Sequence, residues 1–174
     1  MIFETPYNLA NKHPRVNILK PGPGVGGHCL AVDPWFIVEK FPKKARLIRT
    51  SREVNEYKPK WVVEKIIEDI NKRFNNDKKI TIGILGLAYK PNIDDLRESP
   101  ALEIAKELKN KGYNVIACEP NSTENEIDGI LNFNLEELTD KADYFVYAVA
   151  HDQFKNVKHL INLKPCFDTV GVCR

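Results

Sequence analysis

The stretch that decides the fold covers residues 79–100 and reads KITIGILGLAYKPNIDDLRESP. Its first part, residues 79–85, is rich in β-branched side chains and predicts a strand. Gly86 begins a loop, and Ser99 followed by Pro100 predicts the N-cap and the first position of a helix. A strand, a loop and a capped helix in this order are the first half of a βαβ unit.

The residues after this stretch repeat the same alternation. We expect helices at 101–111 (ending at Gly112), 135–141 and 153–163, and strands at 113–118, 143–149 and 166–170. Strands that alternate with helices at this spacing predict a parallel sheet. Residues 79–174 are therefore predicted to form a Rossmann-like α/β domain.

The residues before the stretch are predicted to be mostly helical. Apolar side chains at 61, 62, 63, 66, 67, 70 and 74 form a wide stripe, which indicates an amphipathic helix over 55–74 with Pro59 in its first turn. Asp33 and Pro34 resemble an N-cap and a first helical residue, opening a helix through residues 35–40. The polar run FNNDKK around 75–79 separates this helical segment, residues 1–75, from the α/β domain.

Composition excludes several classes of protein. The chain has 174 residues, of which 43% are hydrophobic and 29% charged, too apolar for a disordered protein. A net charge of +2 does not indicate the strongly basic surface of a nucleic-acid-binding protein. The longest apolar run, residues 144–150, is too short to cross a membrane. The N-terminus MIFETPYNL has no secretory pattern, so we expect a cytoplasmic protein with reduced cysteines. A zinc site is disfavoured, because His28 and Cys29 are adjacent and lack further ligands at the usual spacing.

Four of the nine glycines lie between residues 22 and 27, in PGPGVGGHC. Such density indicates either that a ligand approaches the main chain or that the segment is an irregular connector between helices. Cys29 follows this loop near a predicted helix N-terminus, beside His28, which favours a reactive thiol; an inert structural cysteine is the alternative. Asp33, four residues later, is a helix cap, a partner of Cys29 in one pocket, or both.

The loop after the first strand carries two cations. Lys90 and Arg97 would lie at the carboxyl end of the sheet, where α/β folds bind ligands, and both suit a diphosphate. The alternative is a solvated loop. The glycine pair Gly83 and Gly86 lacks the GxGxxG spacing, so this turn is a weak dinucleotide fingerprint.

Three long motifs carry a resemblance that extends over nearly the whole chain: PGPGVGGHCLAVDPWF (21–36), ARLIRTSREVNEYKP (45–59) and GLAYKPNIDDLRESPALEIA (86–105). Together they resemble the nucleotide-sugar 6-dehydrogenases, which oxidise a sugar C6 alcohol to a carboxylate in two NAD-dependent steps. The resemblance implies a helical central segment with a bridging helix, a UDP-binding Rossmann-like domain and a homodimer. It assigns Cys29 as nucleophile and Asp33 as the carboxylate for the hydrolytic water. Lys90 and Gly26 would bind the substrate, Arg97 would approach the NAD diphosphate, and His13 and Arg15 would reach the substrate of a neighbouring subunit.

Two departures from the family pattern matter. The NAD domain of the family, with its GxGxxG motif, and its catalytic lysine and asparagine are absent from these residues, so we expect no turnover by this chain alone. Val170 occupies a position that is often basic in the family. Three interpretations stay open: part of a dehydrogenase for UDP-N-acetyl-D-mannosamine, part of one for another UDP-hexose, or a non-catalytic module that binds UDP-sugars.

Overall fold

The computed structural model describes residues 9–15, 17–18, 20–156 and 163–172. Within these residues, six strands form one sheet in the order β3-β4-β2-β1-β5-β6. Their bounds are β1 Thr81–Leu85, β2 Asn114–Cys118, β3 Glu126–Ile127, β4 Ile130–Asn132, β5 Tyr144–Tyr147 and β6 Cys166–Asp168. All neighbouring strands pair in parallel except β3 with β4. The predicted α/β class and parallel sheet are confirmed, and each predicted strand is present.

The antiparallel edge is a hairpin that the sequence analysis missed. Strands β3 and β4 are joined by Asp128 and Gly129, whose φ angles are +49° and +79°. Positive φ at both turn residues is typical of the type I′ hairpin, for which Asp-Gly is a favoured pair. The dipeptide was therefore an available signal.

The structure gives the bounds of five helices: α1 Cys29–Lys40, α2 Arg46–Phe74, α3 Pro100–Asn110, α4 Leu135–Lys141 and α5 Asp152–Asn156. Helix α3 is capped as predicted, because Ser99 Oγ accepts from the Leu102 N–H at 3.3 Å and Pro100 is the first helical residue. Gly112 follows it with a φ of +90°, which is the left-handed conformation expected there. The predicted helix 153–163 is described only to Asn156, and residues 157–162 lie outside the described residues.

Two predicted helix starts are wrong. Helix α1 begins at Cys29, so Asp33 is not its N-cap and Pro34 lies inside the helix. Helix α2 begins at Arg46, nine residues before the predicted start, and Pro59 lies near its middle. Proline costs a helix interior about 3 kcal/mol, and packing against other elements can offset that cost. Treating each proline as a helix start therefore displaced both boundaries.

The sheet is covered on both faces. Side chains alternate along β5, so that Tyr144 and Val146 join one core cluster while Phe145 and Tyr147 join the other. The first cluster includes the buried face of the second half of α2, from Val62 to Ile70, together with α3. The first half of α2 differs, because Leu47 and Val54 are 80% and 64% exposed. The division of the chain at residues 75–79 stays a prediction.

Among the described residues, no helix is both long enough and apolar enough to span a membrane.

Candidate active site

The carboxyl ends of β1 and β5 form the floor of a cleft. Strand β1 pairs with β2 on one side and with β5 on the other, which makes this position the topological switch point where α/β sheets bind ligands. The cleft has a volume of about 160 Å³. Its walls come from the loop before α1, the loop after β1, the start of α3 and the residues that follow β5 and β6: residues 20–24, 88, 89, 91, 100, 101, 148–150 and 170.

A buried carboxylate holds the loop after β1 in place. Glu119, at the end of β2, is 1% exposed, and its Oε2 accepts from the backbone N–H groups of Leu87 and Ala88 at 2.7 and 2.9 Å. The same oxygen lies 3.2 Å from Nε2 of His151. Burial opposes ionisation of Glu119, but the hydrogen bonds from His151 and the backbone outweigh it and lower the pKa of this carboxyl. Glu119 therefore serves as an ionised anchor for the loop.

The hydrogen bonds around His151 define its tautomer. The backbone N–H of Asn92 donates to Nδ1 at 2.9 Å, so this nitrogen presents its lone pair. The ring proton is then on Nε2, which donates to Glu119. Asn92 also exchanges two hydrogen bonds with Asp152, at 2.8 and 3.0 Å. The loop after β1 is thus tied to the end of β5 as well as to the end of β2.

These contacts do not fit a dinucleotide bound to this domain in the usual way. A Rossmann domain binds NAD with an acidic residue that is free for the ribose hydroxyl. Glu119, the acidic residue at the end of β2, has both oxygens occupied, since Asn121 donates to Oε1 through its backbone and side chain. Contrary to the sequence prediction that GxGxxG is absent, the glycines at 22, 24 and 27 do have this spacing, but no strand precedes them within the described residues.

Cys29 is the first residue of α1 and is exposed. Its Sγ lies 3.6 Å from Nδ1 of His28. A helix N-terminus favours an anion, so the position suits a thiolate. Asp33 is exposed and lies one turn later on the same helix face.

The glycine-rich loop packs against the loop that precedes α3. A Cβ atom on Gly26 would lie 2.1 Å from the carbonyl oxygen of Glu98, so no side chain fits there. The Gly27 N–H donates to the Arg97 carbonyl at 3.1 Å. The close approach of the Glu98 carbonyl accounts for glycine at position 26. The contact between Gly26 and the substrate stays a prediction. Residues 20–24 of the glycine-rich loop line the cleft, and Cys29 follows this loop without being part of the lining.

The two predicted cation positions lie on this loop. Arg97 is largely exposed, and its guanidinium pairs with Asp95 at 2.6 Å. That hydrogen-bonded pair lowers the pKa of Asp95 to about 2 and raises the pKa of Arg97. Lys90 is exposed and lies between Tyr89 and Pro91, which both line the cleft.

His13 and Arg15 lie in an exposed turn. The Arg15 N–H donates to Nδ1 of His13 at 3.3 Å, and Asn11 closes the turn through two hydrogen bonds with Ile18. No hydrogen bond between described residues joins this turn to the cleft. The predicted role of His13 and Arg15 at the substrate of a neighbouring subunit stays a prediction.

The other described cysteines are Cys118 and Cys166. Cys118 is buried, and burial raises its pKa to about 12, which makes it a poor nucleophile. Cys166 is half-buried, and Cys173 lies outside the described residues. Val170 lines the cleft, at the position where a cation was expected from the resemblance.

Comparison with known proteins defines the class to which this fold and cleft belong. The family model for the UDP-binding domain of the UDP-glucose/GDP-mannose dehydrogenase family matches residues 83–174, and the model for its central domain matches residues 6–57. The chain belongs to the UDP-glucose/GDP-mannose dehydrogenase family.

Individual relatives narrow the comparison. A UDP-N-acetyl-D-mannosamine dehydrogenase of Salmonella typhimurium is 47% identical over 95% of this chain and 42% of its own length. An NDP-N-acetyl-D-galactosaminuronic acid dehydrogenase of Ralstonia solanacearum is 46% identical over 86% of this chain and 35% of its own length. The solved UDP-D-ManNAc dehydrogenase of Pyrococcus horikoshii superposes with a TM-score of 0.82 at 32% identity, covering 97% of this chain and 40% of the other. The chain thus spans less than half the length of these relatives.

Several residues of the site were missed by the sequence analysis. Glu119 and His151 lie far apart in sequence, and no local pattern links them. Arg52 and Asn55 lie three residues apart in the motif at 45–59, but that motif gave them no role. One signal was available, since an acidic residue directly after the second strand of a Rossmann-like fold commonly faces the ligand crevice.

Proposed function

We propose that this chain is the central and C-terminal part of an NAD-dependent nucleotide-sugar 6-dehydrogenase. Its substrate would be UDP-N-acetyl-D-mannosamine and its product the corresponding uronate. The observation that carries the proposal is the bond from the Gly27 N–H to the Arg97 carbonyl. This bond joins the glycine-rich loop, which precedes the exposed Cys29, to the loop that follows β1. The chain that contains it belongs to the UDP-glucose/GDP-mannose dehydrogenase family.

In this proposal Cys29 performs the second oxidation. Its thiolate adds to the C6 aldehyde, a C–S bond forms, and the carbonyl oxygen takes up a proton to give a thiohemiacetal. Loss of hydride from C6, together with loss of the proton from the hydroxyl oxygen, converts this adduct into a thioester. Water then attacks the thioester carbon while Asp33 accepts the water proton, and cleavage of the C–S bond releases the carboxylate and regenerates Cys29. A nicotinamide cofactor would supply the hydride acceptor for each oxidation.

The residues of this chain would contribute little to holding that cofactor. The occupied carboxylate of Glu119 does not suit a dinucleotide ribose, whereas the exposed guanidinium of Arg97 suits a diphosphate held by another domain. Lys90 and Gly26 would contact the UDP-sugar, and His13 and Arg15 would reach the substrate of a neighbouring subunit. A nucleophilic thiol must stay reduced, which fits an enzyme of the cytoplasm.

A homodimer is part of the proposal. Helices α1 and α2 expose large apolar side chains, including Phe36 and Leu47 at 69% and 80%. Exposed apolar surface of this kind is typical of an interface. We expect sedimentation to show dimers that Leu47→Lys weakens, with Leu131→Lys on the exposed face of β4 as the control. A monomer at all concentrations would contradict this part.

Calorimetric titration tests the function. We expect the chain to bind UDP and to produce no NADH from NAD and UDP-sugar. In a full-length enzyme carrying these residues, Cys29→Ser should abolish uronate formation and change UDP affinity by no more than a few-fold. Absence of UDP binding, or uronate formation by the Cys29→Ser enzyme, would contradict the proposal.

A second substrate is favoured by one observation. The Ralstonia relative, named for an N-acetyl-galactosaminuronic acid, is nearly as similar as the Salmonella one. Comparing kcat/KM of the full-length enzyme for UDP-N-acetyl-D-mannosamine and for UDP-N-acetyl-D-galactosamine decides between the two substrates. A non-catalytic UDP-sugar module would bind UDP but leave both sugars unoxidised.

A further inference from the structure

Three polar side chains on one face of α2 hold the backbone on both sides of Cys29. Arg52, Asn55 and Glu56 are spaced i, i+3 and i+4, so they project from the same side of the helix. We call these three residues the polar clamp.

The first contact of the polar clamp compensates for Pro34. Proline has no N–H, so the carbonyl of Leu30, four residues earlier, receives no helical hydrogen bond. Nη1 of Arg52 donates to this carbonyl at 3.2 Å, from a side chain that is only 11% exposed. Arg52 therefore ties down the first turn of α1 at the residue that follows Cys29.

Glu56 adds a second contact on the same side. Its Oε1 accepts from the indole N–H of Trp35 at 3.0 Å and lies 3.7 Å from Nη2 of Arg52. The carboxylate thus orients the guanidinium and also holds α1 just after Pro34.

Asn55 holds the chain before Cys29. Its Oδ1 accepts from the Val25 N–H at 2.9 Å, and its Nδ2 donates to the Val25 carbonyl at 3.0 Å. These two bonds fix the glycine-rich loop four residues before the thiol. The thiol itself contacts only His28 among the hydrogen bonds of the described residues. Its direction therefore depends on the backbone that Asn55 and Arg52 hold.

We propose that Arg52 and Asn55 are positioning residues for the Cys29 thiol, which they keep at the N-terminus of α1 facing the Arg97 loop. This inference rests on the proposed role of Cys29 as a nucleophile. Loss of either contact would let the first turn of α1 move, and the thiol would no longer be held at the N-terminus of that helix.

The test measures alkylation of Cys29 by iodoacetamide in the 174-residue chain, with the labelled peptide quantified by mass spectrometry from about pH 6 to about pH 9.5. The charged or titratable groups around the thiol in α1, the preceding loop, α2 and the loop before α3 are His28, Asp33, Arg52, Glu56, Asp95 and Arg97. We expect Arg52→Gln and Asn55→Ala to raise the midpoint of the alkylation profile by about half a pH unit or more, and Arg52→Lys to restore at least part of it. Arg49→Gln is the matched control, because Arg49 lies on the same helix and its side chain makes no hydrogen bond or ion pair with the described residues.

Unchanged midpoints in Arg52→Gln and Asn55→Ala, with folding confirmed by circular dichroism, would overturn the inference. So would an equal shift in Arg49→Gln, since the effect would then be one of net charge alone. If Arg52→Gln does not fold, Asn55→Ala and Arg52→Lys decide. UDP titration of the wild-type chain separates the two proposals: absence of UDP binding refutes the function, and an unshifted alkylation profile refutes the positioning role.

Discussion

Replacing Glu119 by alanine should destabilise the fold strongly, because this carboxylate anchors the loop after β1. The change removes the acceptor of two buried backbone N–H groups, those of Leu87 and Ala88, and of the buried ring N–H of His151. A buried donor left without a partner costs about 1–3 kcal/mol, and the change leaves three such donors. We therefore expect the free energy of unfolding to fall by about 3–5 kcal/mol. Glu119→Gln keeps one acceptor oxygen and should cost less, about 1–3 kcal/mol.

Urea unfolding at neutral pH, followed by circular dichroism, measures both changes. Glu124→Ala is the control, because Glu124 is an exposed residue of the loop after β2 and should change stability by no more than about 0.5 kcal/mol. A loss below about 1 kcal/mol for Glu119→Ala, with an unchanged slope against urea, would refute the anchoring role.

Three further outcomes are expected. Gly26→Ala should cost about 1–3 kcal/mol in urea unfolding, because its Cβ would lie 2.1 Å from the Glu98 carbonyl, whereas Gly22→Ala, with no atom within 4 Å, should cost far less. Val170→Arg should tighten UDP binding in calorimetry by about tenfold by adding a cation to the cleft; an equal gain from Leu131→Arg, outside the cleft, would contradict this. The pKa values of Asp95 and Glu119 are lowered from 3.8 and 4.5, so their stabilisation should be complete above about pH 5 and lost as the pH falls through the folded pKa values. Urea midpoints that stay constant down to about pH 3 would count against that.

Much of the α/β part could be predicted because its signals are local. The β-branched run before Gly86, the Ser99 cap and the Gly112 terminator each depend on a few adjacent residues. The starts of α1 and α2 could not be predicted in the same way. Pro34 is accommodated because Arg52, eighteen residues later, donates to the Leu30 carbonyl in place of the missing N–H. A contact between residues so far apart cannot be predicted from the local sequence.

In the candidate site, too, the residues of local motifs could be predicted from the sequence, whereas the long-range contacts that position them could not. Cys29, Lys90 and Arg97 were proposed from motifs. Cys29 begins α1 directly after the glycine-rich loop, and this loop packs against the loop that carries Lys90 and Arg97. The packing itself depends on Gly26 meeting the Glu98 backbone and on Glu119 reaching across from β2. Neither pairing has a sequence spacing that would reveal it.

The fixed tautomer of His151 makes this residue a built-in spectroscopic reporter. A ring proton held on Nε2 inside the protein, against a carboxylate, exchanges slowly with solvent and should give a separate low-field NMR signal. Its exchange rate would record how often the segment bearing Lys90 detaches from the sheet. Nucleotide binding could then be followed at one nucleus, without a label near the ligand.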